Sequence, residues 1–332
     1  MTEYSQPPMD HQHAQERDND NAALGLAKVP ACPACGGEER THRFLAPDPI
    51  AGGDFAISTC SGCGLNYVDP APDPADMEAY YATCYYGGRH PILKDFFMGL
   101  RARKLGNPRG TRKVLDIGCG AGDFLQVCDR RGWKVTGIEQ GDAPVMQLAE
   151  GHTAQVLSPE RMGELPAGQF AAVTIWHVLE HVAHPRQVLA EARRVVADDG
   201  QLIIEVPHFG GWQASIGGAR WFHLDVPRHL HHFDRDALVG LVERSGFTCE
   251  RVETFSLEYD TYGLAQSLLN KLCRNPNHLF QKLIGHPTDG PARDTVLSLV
   301  LLPPLAIASA IVSAIAPLFG AGGVLRIYAK PS

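Results

Sequence analysis

Four cysteines in the N-terminal part of the chain form two Cys-x-x-Cys pairs, each followed by a glycine. The pairs are Cys32 with Cys35 and Cys60 with Cys63. Zn²⁺ takes four tetrahedral ligands, and two such turns supply them when glycine lets the backbone curl around the sulfur atoms. Four thiolates leave no open coordination position, so we predict a structural zinc ion. The alternatives are a chance arrangement and a redox dithiol, which needs only one pair at a helix start.

A glycine-rich turn is the second chemical signal. The apolar run Val114–Ile117 leads into Gly118, Gly120 and Gly122, and then into a helical pattern. Glycines there let the backbone approach a ligand where side chains would clash. Glu139 ends the next predicted strand, where a carboxylate can accept both ribose hydroxyls. The spacing differs from the Gly-x-Gly-x-x-Gly of pyrophosphate sites, which favours a nucleoside without a diphosphate. The alternative is a plain tight turn with a surface glutamate.

Histidines are concentrated after the fifth predicted strand. The chain has 15 histidines, and five of them occur between His208 and His232. A loop at this place lies over the carboxyl ends of the strands, where open α/β sheets bind ligands. A neutral imidazole there can take a proton from an attacking hydroxyl near neutral pH. The candidate catalytic bases are His181 and His229, and Arg228 is a candidate for binding an anionic substrate.

Each of these histidines also has a different interpretation. His181 can instead hydrogen-bond the backbone at a helix start. A second metal site is a further alternative, although its spacing fits no established ligand pattern; its members would be His223, Asp225 and His229.

Alternating strands and helices must position these residues. The predicted strands are Val114–Ile117, Lys134–Ile138, Ala171–Trp176, Leu202–Val206, Thr248–Phe255 and Val324–Ala329. Helical patterns separate most of them, and the helix from Asp234 to Ser245 begins with a capping aspartate and ends at Gly246. Alternation of this kind predicts an α/β fold with a parallel sheet and helices on both of its faces.

Composition limits the function classes. The chain has 332 residues, 44% of them apolar, and a formal net charge of −7, which argues against a general nucleic-acid binder. An odd number of cysteines, nine, and a polar N-terminus without an apolar signal segment predict a reducing, cytoplasmic location.

In this order and spacing, the motifs resemble those of class I S-adenosylmethionine (SAM)-dependent methyltransferases. Val114–Gly122 and Gly137–Glu139 are similar to the first motif and the second-strand acid of that family. Trp176–Val182 is similar to its fourth-strand motif, and Asp198–Ile204 to its turn into strand five. The likeness covers about residues 90–258 and the final strand.

The resemblance implies a Rossmann-like doubly wound sheet with an antiparallel last strand, and SAM as the methyl donor. The residues it implies for SAM binding are Asp116, Gly118, Cys119, Gly120, Glu139, Gln140, Trp176 and His177. The usual acidic residue before the fourth strand is missing, because Phe170 is followed by two alanines.

The acceptor side is less defined. The cysteine region and the tyrosines after it resemble a bacterial subgroup acting on sugars, glycans and secondary metabolites. Tyr81 and Tyr86 are therefore expected to line the acceptor pocket, with packing in the core as the alternative.

An apolar segment precedes the last strand. No charged residue occurs from Thr295 to Leu325, a run longer than the about 20 residues that span a membrane. Because Pro303 and Pro304 interrupt it, we predict a helical hairpin that dips into one leaflet or lies on the surface. The basic residues expected to meet anionic headgroups are Lys271, Arg274, Lys282 and Arg293. A buried lid and a homodimer interface are the alternatives.

The predicted organisation has six parts: a disordered tail (1–28), a zinc ribbon (29–75), a linker and helical lid (76–110), the SAM-binding domain (111–258), the apolar insertion (259–322) and the last strand (323–332).

The predicted function is methyl transfer from SAM to a hydroxyl or carbon of a glycan, lipid-linked or small-metabolite acceptor, in the cytoplasm or on the inner membrane face. The alternatives are a non-catalytic zinc-ribbon binding module on this fold, and an RNA methyltransferase, which the acidic balance opposes.

Overall fold

The computed structural model describes residues 26–48, 50, 52–81, 91–108, 110–140, 145–147, 152–283 and 291–332. Nearly all of the predicted tail, residues 1–28, lies outside this set, as does Tyr86.

The described elements follow the chain in this order. The helices are α1 (Pro91–Arg103), α2 (Asp123–Arg130), α3 (Pro185–Val195), α4 (Trp212–Gly217), α5 (Arg235–Arg244), α6 (Asp260–Leu272), α7 (His278–Leu283) and α8 (Ala292–Ile315). The strands are β1 (Leu26–Ala27), β2 (Arg40–Pro47), β3 (Asp54–Cys60), β4 (Asn66–Val68), β5 (Ala71–Pro72), β6 (Lys113–Ile117), β7 (Lys134–Ile138), β8 (Val145–Gln147), β9 (Thr153–Leu157), β10 (Phe170–Trp176), β11 (Val196–Pro207), β12 (His231–His232), β13 (Phe247–Glu253) and β14 (Val324–Pro331).

An eight-stranded sheet forms the centre of the protein, in the order β13-β14-β11-β10-β6-β7-β9-β8. Strands β6, β7, β9, β10 and β11 are parallel, and β14 lies antiparallel between β11 and β13. Every residue of β10 is buried, as expected for a parallel strand covered on both faces. The predicted Rossmann-like doubly wound sheet with an antiparallel last strand is confirmed.

Strand order also determines where a ligand binds. From β6 the chain continues to β7 and β9 on one side, and then returns to β10 and β11 on the other. The turn after β6 therefore lies where the winding direction reverses, which is where open α/β sheets bind ligands.

The helices cover the sheet with one apolar face each. Helix α2 buries Phe124, Leu125 and Val127, and α5 buries Leu238 and Leu241 at helical spacing. The Asp234 carboxylate accepts a hydrogen bond from the backbone N–H of Ala237 at 2.9 Å, so the predicted cap of α5 is present.

A second, four-stranded sheet joins the cysteine region to the rest of the chain. Its order is β12-β4-β3-β2, and β12 comes from the histidine-rich loop after β11. Phe55 and Ile57 of this sheet share an apolar cluster with Trp221 and Leu224 of that loop. The cysteine region and the loop above the central sheet are therefore packed together.

The segment before β14 is helical, but it is not a hairpin broken at the prolines. Helix α8 continues through Pro303 and Pro304. Each proline removes one i→i−4 hydrogen bond, and the turns on both sides keep theirs, so the helix does not end there. Within the described residues, one helical segment, Ala292–Phe319, is long and apolar enough to cross a membrane.

Candidate active site

The glycine turn after β6 has the backbone that its sequence predicts. Gly118, Gly120 and Gly122 all have positive φ, at 77°, 53° and 77°. A Cβ on Gly118 would lie 2.2 Å from a methyl carbon of Val178, so only glycine fits between this turn and the segment after β10. The turn and the fourth-strand motif thus form one packed surface.

Two of the residues predicted to bind SAM, Asp116 and Cys119, have buried side chains at this turn. The buried Asp116 carboxyl accepts a hydrogen bond from Thr174 Oγ1 at 2.6 Å, and its burial raises its pKa to about 7. The Cys119 side chain is also buried, against Gly137, and burial raises the pKa of its thiol to about 12. Cys119 can therefore offer a ligand only its backbone.

Glu139 connects the turn to the end of β7. Its Oε2 accepts a hydrogen bond from the backbone N–H of Gly120 at 2.6 Å, and its Oε1 accepts one from the N–H of Gln140 at 3.0 Å. The side chain is half-buried and lies at the rim of the turn, whereas Gln140 is exposed. The residues fit a nucleoside with a free diol, because a carboxylate lies beside an open glycine backbone.

Trp176 and His177 follow at the end of β10. The Trp176 ring is buried edge-to-face against Phe124, with ring centroids 5.6 Å apart. The indole Nε1 is buried and has no hydrogen-bond partner among the described residues. It is therefore a buried donor that the described residues leave unpaired.

His177 is held by two buried carboxylates. Its Nε2 lies 3.1 Å from Glu205 Oε1, and its Nδ1 lies 3.4 Å from Glu180 Oε1. Burial disfavours the charged ring, but the negative charges of Glu180 and Glu205 beside it outweigh this effect and raise the pKa of His177. Its backbone has φ of 53°, which costs energy for a non-glycine residue. The side chain thus belongs to a buried ion network rather than to an open ligand surface.

The two candidate bases are adjacent. The rings of His181 and His229 have centroids 4.5 Å apart and planes at 79°. His181 Nδ1 lies 3.0 Å from the carbonyl oxygen of Arg228, and His229 Nδ1 lies 2.8 Å from that of His223. Because a carbonyl only accepts, both Nδ1 atoms carry protons, and a neutral ring held in this way has its lone pair on Nε2. Burial and the neighbouring His229 lower the pKa of His181 to about 4, so it is neutral at neutral pH.

Arg228 does not face an acceptor. Its side chain is fully buried, with Nη2 2.7 Å from Asp48 Oδ1 and 2.9 Å from Asp225 Oδ1. Further bonds go to the carbonyl oxygens of Tyr80 and Val226. The structure therefore contradicts the prediction that Arg228 binds an anionic substrate, because its donors are already bound inside the protein.

Of the two tyrosines predicted for the acceptor pocket, Tyr81 is described. Its hydroxyl lies 3.1 Å from His181 Nδ1, which places the phenol beside the histidine pair. Tyr86 lies outside the described residues.

The four paired cysteines converge. The Sγ atoms of Cys32 and Cys63 are 3.6 Å apart, and those of Cys35 and Cys60 are 3.5 Å apart. All four lie within 4.8 Å of one another. Tetrahedral Zn–S bonds of about 2.3 Å require sulfur separations of roughly 3.8 Å, so the residues fit a zinc ion. Separations this long are also incompatible with disulfides, whose S–S bond is about 2.05 Å.

Sequence reasoning missed three buried acids around this site. Glu180 and Glu205 flank His177, and Asp48 pairs with Arg228. Glu180 lies within the fourth-strand motif, directly before the candidate base His181, and this position could have identified it as a site residue. Asp48 and Glu205 carried no such signal, because their partners are remote in sequence.

Comparison with known proteins agrees with this geometry. Residues 90–252 match the family model described as a methyltransferase domain. The ubiquinone biosynthesis O-methyltransferase of Pseudomonas aeruginosa PAO1 is 34% identical over 131 residues, which cover 37% of this chain and 56% of that protein. The corresponding protein of Pseudomonas entomophila L48 is 32% identical over 133 residues, 57% of its length. The chain thus spans little more than half of these curated relatives.

Solved structures of this fold are more distant. A SAM-dependent methyltransferase from Archaeoglobus fulgidus has 22% identity and a TM-score of 0.43, over 74% of this chain and 99% of that one. A sarcosine dimethylglycine methyltransferase homologue from Galdieria sulphuraria has 14% identity and a TM-score of 0.44, over 73% and 86%.

Proposed function

We propose that the protein transfers the methyl group of SAM to an acceptor hydroxyl, on the premise that residues 90–252, which match a methyltransferase domain, are a class I SAM-dependent methyltransferase domain. The observation that carries the proposal is the Glu139 carboxylate bound to the Gly120 N–H at the point where the sheet reverses its winding. The naming of the curated relatives as O-methyltransferases supports oxygen as the atom that is methylated.

SAM supplies a methyl group on a positively charged sulfur, and this chain supplies the groups around it. Glu139 would hold the ribose hydroxyls, and the backbone from Gly118 to Gly120 would lie against the methionine part. Trp176 Nε1 is an unused donor at the same edge. Methyl transfer depends mainly on alignment of the nucleophile with the methyl group, so rigid positioning is the main contribution of these residues.

The acceptor hydroxyl has to lose its proton during the transfer. The Nε2 lone pairs of His181 and His229 are the proposed place for this loss, since hydrogen bonds from both Nδ1 atoms fix the ring orientations. Tyr81 lies beside them and would contact the acceptor.

Replacing Glu139 with glutamine tests the proposed SAM site. The variant should fold normally, because the side chain is half-buried, and its SAM affinity should fall about 10- to 100-fold. The physical reason is the loss of charge-assisted hydrogen bonds to a diol. Titration calorimetry measures the affinity. The matched control is Glu243→Gln, because Glu243 is an exposed glutamate on α5. Unchanged affinity in Glu139→Gln would remove the ribose assignment.

We also propose that the four cysteines bind one structural zinc ion. Their fit to a tetrahedral site supports this, as does the backbone N–H of Gly37, which donates to Cys35 Sγ at 3.4 Å. The ion would maintain the fold of the cysteine region, which in turn packs on the loop carrying His229.

The orientation of α8 supports a proposal that this helix lies in a membrane surface. The side chains it buries are polar: Asp294, Ser298, Ser309 and Ser313. Its outward face is apolar, with Leu299 61% and Ile307 67% exposed. A helix on a water-exposed surface buries its apolar side chains and exposes its polar ones, so α8 has the reverse arrangement. The chain beyond α8 returns to β14 in the central sheet, so we propose that the helix lies along one leaflet.

Basic side chains occur on α8 and on the helical segments that pack against it. Those predicted to meet headgroups are all exposed: Lys271, Arg274, Lys282 and Arg293. Binding of α8 to a membrane surface would favour a lipid or lipid-linked acceptor over a water-soluble one.

The variant Leu299→Glu/Ile307→Glu should lose binding to vesicles of phosphatidylethanolamine and phosphatidylglycerol. Each buried Leu or Ile side chain contributes about 1.5–3 kcal/mol, so the partition coefficient should fall about 100-fold or more. Cosedimentation measures it, and Phe96→Glu is the control, because Phe96 is another exposed apolar side chain, on α1. A wild-type protein that stays in the supernatant and forms a dimer would show instead that α8 is a subunit interface.

A further inference from the structure

Three metal-binding side chains converge outside the cysteine region. One ligand atom each from Glu180, His181 and His229 lies within 4.8 Å of the other two. Glu180 and His181 follow β10, and His229 comes from the loop before β12. The backbone N–H of Leu230 donates to the carbonyl oxygen of Glu180 at 2.8 Å, which fixes the two segments against each other. We infer that these three residues bind a divalent first-row transition-metal ion.

Both histidines have the orientation that metal-binding histidines use. Each donates its Nδ1–H to a backbone carbonyl: His181 to Arg228 and His229 to His223. Such a bond fixes the tautomer, makes Nε2 the ligand atom and strengthens its basicity. The two lone pairs are therefore prepared before any ligand binds.

Glu180 gives the independent observation. The residue is 1% exposed, yet neither carboxylate oxygen accepts a hydrogen bond from any residue that the structure describes. Its nearest charged neighbour is His177 Nδ1 at a long 3.4 Å. A buried carboxylate without hydrogen bonds is costly, and a bound cation would compensate for this cost.

Glu205 is the contrast within the same network. It is equally buried, but it binds Arg326 and also lies 3.1 Å from His177 Nε2. Burial near His177 therefore does not by itself leave a carboxylate without hydrogen bonds.

The donor set indicates the class of ion. Two imidazoles and one carboxylate suit Mn²⁺, Fe²⁺, Co²⁺, Ni²⁺ or Zn²⁺, and they leave coordination positions open. The four cysteines instead provide thiolates and no open position, so the two sites differ in metal preference. If the proposed methyl transfer is correct, an acceptor oxygen would occupy an open position, and the cation would lower the pKa of its hydroxyl. The proton would then leave to solvent, because both Nε2 lone pairs would be bound to the ion and could not accept it.

Mn²⁺ is the probe, because it prefers oxygen and nitrogen ligands to thiolates. The zinc-loaded full chain is titrated with Mn²⁺, and the free ion is measured by electron paramagnetic resonance. We expect one Mn²⁺ per chain, and at least about a 100-fold loss of affinity in Glu180→Gln and in His181→Ala. The control is His184→Ala, because His184 is an exposed histidine three residues beyond His181. Circular dichroism establishes that each variant is folded.

A second zinc ion per chain, lost in both variants and retained in His184→Ala, would also support the site. The inference is overturned if the folded wild-type protein binds neither ion beyond the zinc of the four cysteines, or if both variants bind as the wild type does. SAM affinity is measured on the same samples. Normal SAM binding without a second metal would contradict this inference alone, whereas metal binding without SAM binding would contradict the proposed function alone.

Discussion

Replacing Arg228 with methionine is expected to lower the free energy of unfolding by about 3–5 kcal/mol. The substitution leaves Asp48, whose side chain is fully buried, and Asp225, which is nearly so, without their cation. Removing one partner of a buried ion pair is far more costly than the pair itself is stabilising, because the remaining charge stays desolvated. Denaturant unfolding followed by circular dichroism measures the change.

Two further variants separate the ion pair from general effects of losing an arginine. Arg244→Met removes an exposed arginine from the last turn of α5 and should change stability by less than about 0.5 kcal/mol. Adding Asp48→Asn to Arg228→Met should recover part of the loss, since one stranded charge is then neutral. A loss below about 1 kcal/mol in Arg228→Met would mean that water or another cation reaches Asp48.

Replacing Cys60 with serine should remove the structural zinc ion and unfold the cysteine region. Structural zinc supplies about 10–16 kcal/mol of apparent binding free energy at pH 7, far more than a small loop-rich region gains from its core. Cys32 and Cys60 also lie in the apolar cluster with Leu65 and Tyr67, so loss of the ion exposes this cluster. Elemental analysis and limited proteolysis of residues 29–75 measure the two effects.

Cys249→Ala is the matched control, because Cys249 is a half-buried cysteine on β13, outside the four-cysteine group. It should keep the zinc and resist the protease as the wild type does. If Cys60→Ser retained one equivalent of zinc at the thiolate site, the assignment of the four cysteines would be contradicted.

Local patterns predicted six of the eight strands of the central sheet. Six of the seven residues of Phe170–Trp176 are apolar, the exception being Thr174. Apolar runs also end just before Gly118 and Glu139, and each is typical of a buried strand. Two short strands, Val145–Gln147 at the edge and Thr153–Leu157 beside it, were not predicted, because their residues carry little apolar pattern. The prediction that Pro303 and Pro304 interrupt the helix was wrong, since a long helix tolerates two missing hydrogen bonds.

The candidate site was predictable where its residues are close in sequence to a motif. The glycine turn, Glu139 and the pair His181 and His229 were named in advance, and the structure brings the two histidines together. Arg228 was assigned to substrate because nothing local showed that Asp48 pairs with it. Its role depends on a contact between segments far apart in sequence, which only the folded chain reveals.

The central claim is that this chain transfers methyl groups from SAM. The most direct test incubates the purified protein with methyl-labelled SAM and a cell extract containing membranes, and partitions the products between organic and aqueous phases. We expect label in the organic phase, an equal amount of S-adenosylhomocysteine, and little of either with Glu139→Gln. Label confined to the aqueous phase would contradict the lipid acceptor alone. Stoichiometric binding of SAM with no transfer of label to any product would contradict the central claim, and the chain would then be a SAM-binding module without catalysis.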